Sequence, residues 1–393
     1  MEQYVNKNQK RLRLGITTGT CSSAAAKAAA SLLLLGIAPK SVVIHTPKGI
    51  SVEVAVEILE ESAQRVSCMV MKDSGDDPDV TNRAQIVASV ERLEEGRQES
   101  GSIFHSAEYP QLYLDGGVGV GRVTRAGMEQ QIGQAAINAV PRRMIFEAVG
   151  EVCDLAEAEG ELLITVSVPK GEELAERTFN PRLGIVGGIS ILGTSGILEP
   201  MSERAIVDTI ESEIRQRAAL GEKNLLVTPG NYGQGYVSQY LKMDLAGSVK
   251  CSNYIGETLD LAVSYGMENF LLVGNVGKLV KLAAGIMNTH SRVADGRCEI
   301  FAVHTVLCGG DGRMAEKIMA CINTEEILEL LAQWGLKDAV MESICKKAGE
   351  NLQRRGGRAI RCSAMMFSER FGYLGQTPGT EAVLAEFGCS GAK

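Results

Sequence analysis

Short apolar runs alternating with longer helical ones, from about Pro181 onward, are what most restrict the fold open to this chain. Ser202–Leu220 reads as a helix opening with Ser202 and acidic Glu203, and Asn224–Val227 as a short apolar strand. A helix, a strand near Ser248–Cys251, a helix over Ile255–Tyr265 and a strand over Asn269–Val273 follow, and Gly274 then opens a helix that runs to about Met287. Strands spaced by helices need crossover connections, which implies right-handed βαβ units and a parallel sheet. Helices dominate Glu299–Arg355, and a late strand is expected over Arg358–Met366.

The first half has a different texture. Ser22–Leu35 is rich in Ala and Leu and predicts a helix capped by Thr20 or Ser22. Three β-like runs follow, Ser41–His45, Ile50–Ile58 and Ala63–Met71, then an acidic turn over Asp73–Asp79 and a strand over Ala84–Arg92. Ile132–Ala139 reads as a short helix before Pro141, which suits the first turn of another helix reaching about Glu159. Leu162–Val168 is β-like. Grouped strands with helices to one side suggest an α+β domain. The expected fold class is therefore mixed α/β: an α+β domain over 1–180, then a Rossmann-like domain with a mostly parallel sheet over 181–393.

Composition narrows the function. The 393 residues carry 40 Lys plus Arg against 48 Asp plus Glu, a net charge of −8, which disfavours a general nucleic-acid binder. No run approaches the ~20 apolar residues of a membrane span, and the polar, basic N-terminus has no adjoining signal core, so a cytoplasmic location is expected. The ten Cys form no C-x-x-C pair, which suits reduced, mostly buried thiols. Four His and no H-E-x-x-H make a protein-bound metal improbable. A homo-oligomer is left open.

In a parallel sheet, ligands gather at the carboxyl ends of the strands. Two glycine-bearing loops fall there, Thr228-Pro229-Gly230-Asn231-Tyr232-Gly233 and Gly274-Asn275-Val276-Gly277-Lys278. Gly277-Lys278 tempts a phosphate-loop reading, but Leu272 and Leu279 occupy the positions that motif reserves for glycine and a hydroxyl. Lys278 and Lys281 share a face and suit an anionic ligand. Arg122 and Arg125, after the Gly116–Gly121 run, and Arg142 and Arg143 at a helix start suit the carboxylates of a small polyanion, with plain solvation as the alternative. Thr17, Thr18 and Thr20 cluster before the first helix, an arrangement that favours anions. Cys21 lacks a basic neighbour and is discounted as a nucleophile. Asp73, Asp76, Asp77 and Asp79 read as an acidic turn rather than a cation site. His290 and Asp295, in one polar loop, are the expected acid/base pair. The residues alone indicate a two-domain enzyme acting on an anionic small molecule and name no reaction.

A set of strings goes further. GITTGTCSSAAAKAA at 15–29, SGDDPDVTN at 74–82, GGVGVGRVTRAGM at 116–128 and AINAVPRRMI at 136–145 recur with GISILGTSGILEPMS at 188–202, TPGNYG at 228–233, CSNYIGETLD at 251–260 and GKLVKLAAGIMNTHSRVADGR at 277–297. In this order they resemble the CbiD family, from about 14 to 300 and weakly beyond. The resemblance implies S-adenosylmethionine-dependent methylation of ring carbon 1 of cobalt-precorrin-5B, giving cobalt-precorrin-6A, in anaerobic cobalamin biosynthesis. The chain departs from the family at Asn275, where histidine is common, so no catalytic histidine is expected there.

Carried onto this sequence, the resemblance makes Thr228, Gly230, Asn231, Gly233, Gly274 and Gly277 candidates for binding the donor. Glu257 or Asp260 would accept from its ribose hydroxyls. The corrinoid's acetate and propionate arms would meet Thr17, Thr18, Thr20, Arg122, Arg125, Arg142, Arg143, Lys278 and Lys281. Methyl transfer from a sulfonium is an in-line displacement, so alignment and exclusion of water would supply catalysis without a protein nucleophile. A nucleotide-dependent phosphotransferase and a non-catalytic tetrapyrrole carrier remain as alternatives.

Overall fold

The helix Thr18–Leu35 organises the first half of the molecule. Its sequence is dominated by alanine, the best helix former, and Ala24, Ala25, Ala26, Ala28, Ala29 and Ala30 are all fully buried. A helix apolar on nearly every side belongs inside a core, and small side chains let neighbours approach closely. The cap is Thr17, whose hydroxyl accepts from the Thr20 amide, rather than Thr20 or Ser22; Gly36, with φ of 66°, ends the helix. In this computed structural model, residues 3–7, 10–93, 102–178, 180, 181, 183–200, 202–230 and 247–388 are described.

The chain divides into two units, 1–202 and 203–393. In the first, a six-stranded sheet runs in the order Glu57–Glu61, Arg65–Met71, Gln85–Arg92, Leu162–Ser167, Leu112–Gly116, Phe104–His105. Only the pairing of Leu112–Gly116 with Leu162–Ser167 is parallel. The helices Thr18–Leu35 and Ala139–Ala156 pack on each other and on this sheet. Ile50–Ile58 proves to be two strands in different sheets, Ser51–Ala55 and Glu57–Glu61.

One expectation fails here. Ile132–Ala139 is not a helix: Ala135 bridges Arg122 and Ile137 bridges Ile191. The units divide at 202, and short strands tie the 181–202 segment to the first unit. Gly188–Ile189 pairs with Gly119–Val120, Ile185–Val186 with Arg122–Val123, and Ile197–Leu198 with Gly15–Ile16.

The second unit holds a five-stranded sheet in the order Val249–Lys250, Asn224–Thr228, Asn269–Asn275, Arg361–Ser368, Gly372–Gln376. All but the last strand run parallel. Side chains alternate between two buried layers, as a parallel sheet covered on both faces requires. Phe270 and Leu272 join the layer of Ile255, Leu259, Met341 and Ile344, whereas Leu271 and Val273 pack with Met365, Phe367 and Leu384. After Asn275 the chain makes a single α-turn, Val276–Leu279, and a 3-10 segment, Val280–Ala284, instead of a continuous helix to Met287; Gly285, in the left-handed region, stops it. The helix expected between 228 and 248 lies outside the described residues. Among the described residues, no helix is long and apolar enough to cross a membrane, and the nine described cysteines are free thiols.

Candidate active site

In the second unit the strand Asn224–Thr228 is the pivot. Val249–Lys250, next in the chain, lies on one side of it and Asn269–Asn275 on the other. The connections leaving the carboxyl ends of Asn224–Thr228 and Asn269–Asn275 therefore run in opposite directions, and open α/β sheets bind ligands at such a reversal. Both glycine-bearing loops begin there. Thr228 is buried, its carbonyl accepting from the Cys251 amide at 3.0 Å and its hydroxyl 3.4 Å from that of Ser248. Asn231 and Gly233 lie outside the described residues.

The two loops touch. A Cβ on Gly274 would stand 2.9 Å from Cδ of Pro229, whereas one on Gly230 would meet nothing within 4 Å. Gly274 permits the close approach, and Gly230 meets nothing among the described residues. The Asn275 side chain accepts from the Gly277 amide at 2.8 Å, which turns the chain out of the strand. Lys278 then donates to the Pro229 carbonyl at 3.1 Å. It is half-buried, and loss of hydration holds its ammonium below the usual lysine range. Cys251, fully buried beside it, has its thiol pushed up to about 12 by burial and stays protonated.

The structure separates residues that look equivalent in the sequence. Asp260 is held by Arg355 through two hydrogen bonds of 2.9 and 2.6 Å. Glu257 is half-buried and makes no hydrogen bond or ion pair among the described residues. Lys281 is buried and donates to the carbonyls of Thr289 at 3.1 Å and Ala294 at 2.9 Å, so it tethers its own loop. Burial lowers its pKa, and Asp295, 3.9 Å away, opposes that shift.

His290 and Asp295 are not paired. Asp295 is bonded to Arg297 at 2.6 and 2.8 Å, and that guanidinium keeps its carboxyl below the usual carboxylate range. His290 is exposed; its Nδ1 accepts from the Arg292 amide at 3.1 Å, so the neutral ring carries its proton on Nε2. The arrangement supplies a histidine without an orienting carboxylate.

In the first unit the threonine cluster is turned inward. Thr18 exchanges hydrogen bonds with the Leu192 carbonyl and amide at 3.1 and 2.8 Å, and Thr20 donates to the Gly196 carbonyl at 2.6 Å. Thr17, Thr18 and Thr20 are 8%, 6% and 0% exposed. These hydroxyls fasten the 192–196 loop to the helix start. The acidic turn is likewise engaged: Asp73 pairs with Arg13, and Asp79 with the buried Lys72.

The arginines divide. Arg122 grips Asp115 at 2.6 and 3.0 Å and donates to the Gly116 carbonyl at 2.5 Å, which occupies its guanidinium. Arg142 reaches Glu129 at 2.9 Å and lies 4.4 Å over the Phe104 ring. Arg143 is exposed with only a loose 3.5 Å approach to Glu147, and Arg125 is exposed with its stem over Gly184. Arg142 and Arg143 line a cleft of about 410 Å³ with Phe104, Tyr109 and Phe146.

Sequence reasoning passed over Cys251 and the region after 310. The latter supplies the strand Arg361–Ser368 beside Asn269–Asn275, with Ser368 at the same carboxyl edge donating to Glu325 at 2.7 Å. The acidic start of the 324–333 helix was the available signal.

Comparison with known proteins accounts for both units. The family profile described as CbiD matches residues 5–200, and that described as CbiD, C-terminal domain matches residues 288–378, well beyond where the strings fade. A protein of Ruminiclostridium cellulolyticum named cobalt-precorrin-5B C(1)-methyltransferase is 46% identical over 369 residues, 94% of this chain and 92% of that protein. One of the same name from Alkaliphilus metalliredigens is 41% identical over 374 residues, 95% of this chain and 94% of that protein. A crystal structure described as a cobalamin biosynthesis protein (cbiD) from Archaeoglobus fulgidus matches at 29% identity with a TM-score of 0.39, covering 74% of this chain and 86% of that one.

Proposed function

The chain belongs to the CbiD family, and from that membership we infer that it transfers a methyl group to carbon 1 of cobalt-precorrin-5B, giving cobalt-precorrin-6A. It is an enzyme, a C-methyltransferase of cobalamin biosynthesis. The observation that carries this is the 46% identity to a protein of that name across 94% of the chain. No finding favours a phosphotransferase or a carrier.

S-adenosylmethionine is the donor in this reading, and it supplies an electrophilic methyl on a sulfonium. The carboxyl edge of the second unit suits it: main chain at Gly274 closes on Pro229 with no space for a Cβ, Gly230 leaves space open among the described residues, and Glu257 is a half-buried carboxylate with no hydrogen bond or ion pair among them. Glu257, rather than the Arg355-bound Asp260, would accept from a ribose hydroxyl. Thr228, Gly230, Gly274 and Gly277 would line the nucleoside and keep water out, so that alignment lowers the barrier.

Arg125 and Arg143, with Arg142 in part, are the first-unit cations left to meet carboxylate arms of the macrocycle. The 410 Å³ cleft beside Arg142 and Arg143 takes an arm, not a whole ring. His290 Nε2 is the group left to move a proton, and Asp295 fixes its loop through Arg297. The test is incubation of the protein with labelled S-adenosylmethionine and cobalt-precorrin-5B. One added methyl in the product mass is expected. A folded protein that leaves both reactants unchanged overturns the reading.

A further inference from the structure

Among the described residues, Lys278 is an ammonium without a counter-charge. It is half-buried at the reversal point of the sheet, yet its one hydrogen bond among the described residues goes to a neutral carbonyl, that of Pro229 at 3.1 Å. A lysine ammonium has three donors, so two remain. No carboxylate among the described residues lies within ion-pair distance of it. The Cys251 thiol beside it cannot serve, because burial keeps that group protonated with a pKa of about 12.

Several other cations near this edge are answered among the described residues. Lys281, three residues on, has two carbonyls and Asp295, and Arg297 has Asp295. On the neighbouring helix, Arg355 has Asp260. Burying a charge partly and leaving it unpaired is costly, and such groups are ordinarily paired. Its charge and two of its donors are thus open to an anion that the described residues do not supply.

Resting on the donor site assigned above, we propose that Lys278 binds the carboxylate at the amino-acid end of the methyl donor, and so makes the site selective for the intact aminocarboxypropyl group. The anchor sits where it can act. It is fixed to Pro229, in the loop that Gly274 touches, so the carboxylate contact and the nucleoside wall are parts of one rigid corner. The residue thereby belongs to donor recognition, not to the macrocycle's carboxylates as its sequence context alone suggests.

The test is calorimetry on the full chain with two ligands, S-adenosylhomocysteine and its decarboxylated analogue, which keeps the nucleoside and the ammonium. The wild-type protein should bind S-adenosylhomocysteine about ten- to a hundredfold more tightly than the analogue, the range of a charge-assisted hydrogen bond. Lys278→Met should drop S-adenosylhomocysteine to the analogue's level and leave the analogue unchanged, and Lys278→Arg should recover most of the loss. Glu257→Gln should weaken both ligands alike. Equal weakening of both ligands by Lys278→Met, with an unchanged unfolding midpoint, overturns the proposal and leaves the donor site standing. Unaltered binding of both ligands to that variant also overturns it. A wild-type protein that binds neither ligand overturns the donor site and the proposal together.

Discussion

Alanine at position 274 should damage the protein, and alanine at 230 should not. The closest contact of a Cβ on Gly274 is 2.9 Å to Cδ of Pro229, with Cγ at 3.1 Å and Cδ1 of Leu279 at 3.3 Å. Carbon atoms settle at about 3.5–4.0 Å, so the nearest pair must part by roughly 0.6 Å or more. The proline ring is stiff and Leu279 is fully buried, so the strain cannot be absorbed by a flexible chain end. Overpacking of this kind costs about 1–3 kcal/mol. Removing glycine's freedom from the unfolded chain returns about 0.4–1 kcal/mol. A net loss near 1.5 kcal/mol corresponds to a drop of roughly 3–6 °C in the unfolding midpoint of a unit this size.

Among the described residues Gly230 has open space around its Cβ position, and its backbone lies outside the left-handed region. Gly230→Ala should match the wild-type midpoint or exceed it slightly. Differential scanning calorimetry reads stability, and titration with S-adenosylhomocysteine reads the site, where the 274 variant should lose affinity through the displaced Pro229. A Gly274→Ala protein that melts and binds like the wild type refutes the claim that these loops touch.

Lys281→Met leaves the Thr289 and Ala294 carbonyls without their donor and should cost about 2–4 kcal/mol, with faster amide exchange concentrated over 288–297. Arg143→Ala should raise KM for the corrinoid severalfold at little cost in stability, while Arg122→Ala, which releases Asp115, should show the reverse; steady-state kinetics with parallel melts separates them. His290→Ala should slow single-turnover methylation by about a hundredfold or more if Nε2 moves a proton, and an unchanged rate assigns the ring to loop structure alone. Affinity for S-adenosylhomocysteine should depend on pH through Lys278. Burial lowers its pKa in the free protein and a bound carboxylate raises it, so binding is strongest below the free value and declines as pH climbs through it. That decline should begin below the usual lysine range and disappear in Lys278→Met.

The parallel sheet was legible because Asn224–Thr228 and Asn269–Asn275 are apolar runs framed by helical stretches, each visible within its own window. The 181–202 segment was not legible. Its strands are two residues long and find partners such as Gly15–Ile16 and Gly119–Val120 far back in the chain, so no local period announces them. Ile132–Ala139 misled for a related reason: its apolar spacing imitates a helix, while isolated bridges to Arg122 and Ile191 hold it extended. At the site, the loops and their shared edge could be read from strand order. The fates of individual charges could not. Lys278 and Lys281 have the same chemistry three residues apart, and only the carbonyls of Thr289 and Ala294, brought round by a later turn, tell them apart. Thr18 and Thr20 advertised a helix start, but their hydroxyls answer to backbone 174 and 176 residues away.

That last connection bears on how the molecule is made. Leu192 and Gly196 close over the beginning of the Thr18–Leu35 helix, and Ile197–Leu198 pairs with Gly15–Ile16. The alanine-rich segment thus lies 174 to 176 residues ahead of the strap that seats it. Seating that helix therefore waits on contacts of long sequence separation, whose closure entropy slows folding.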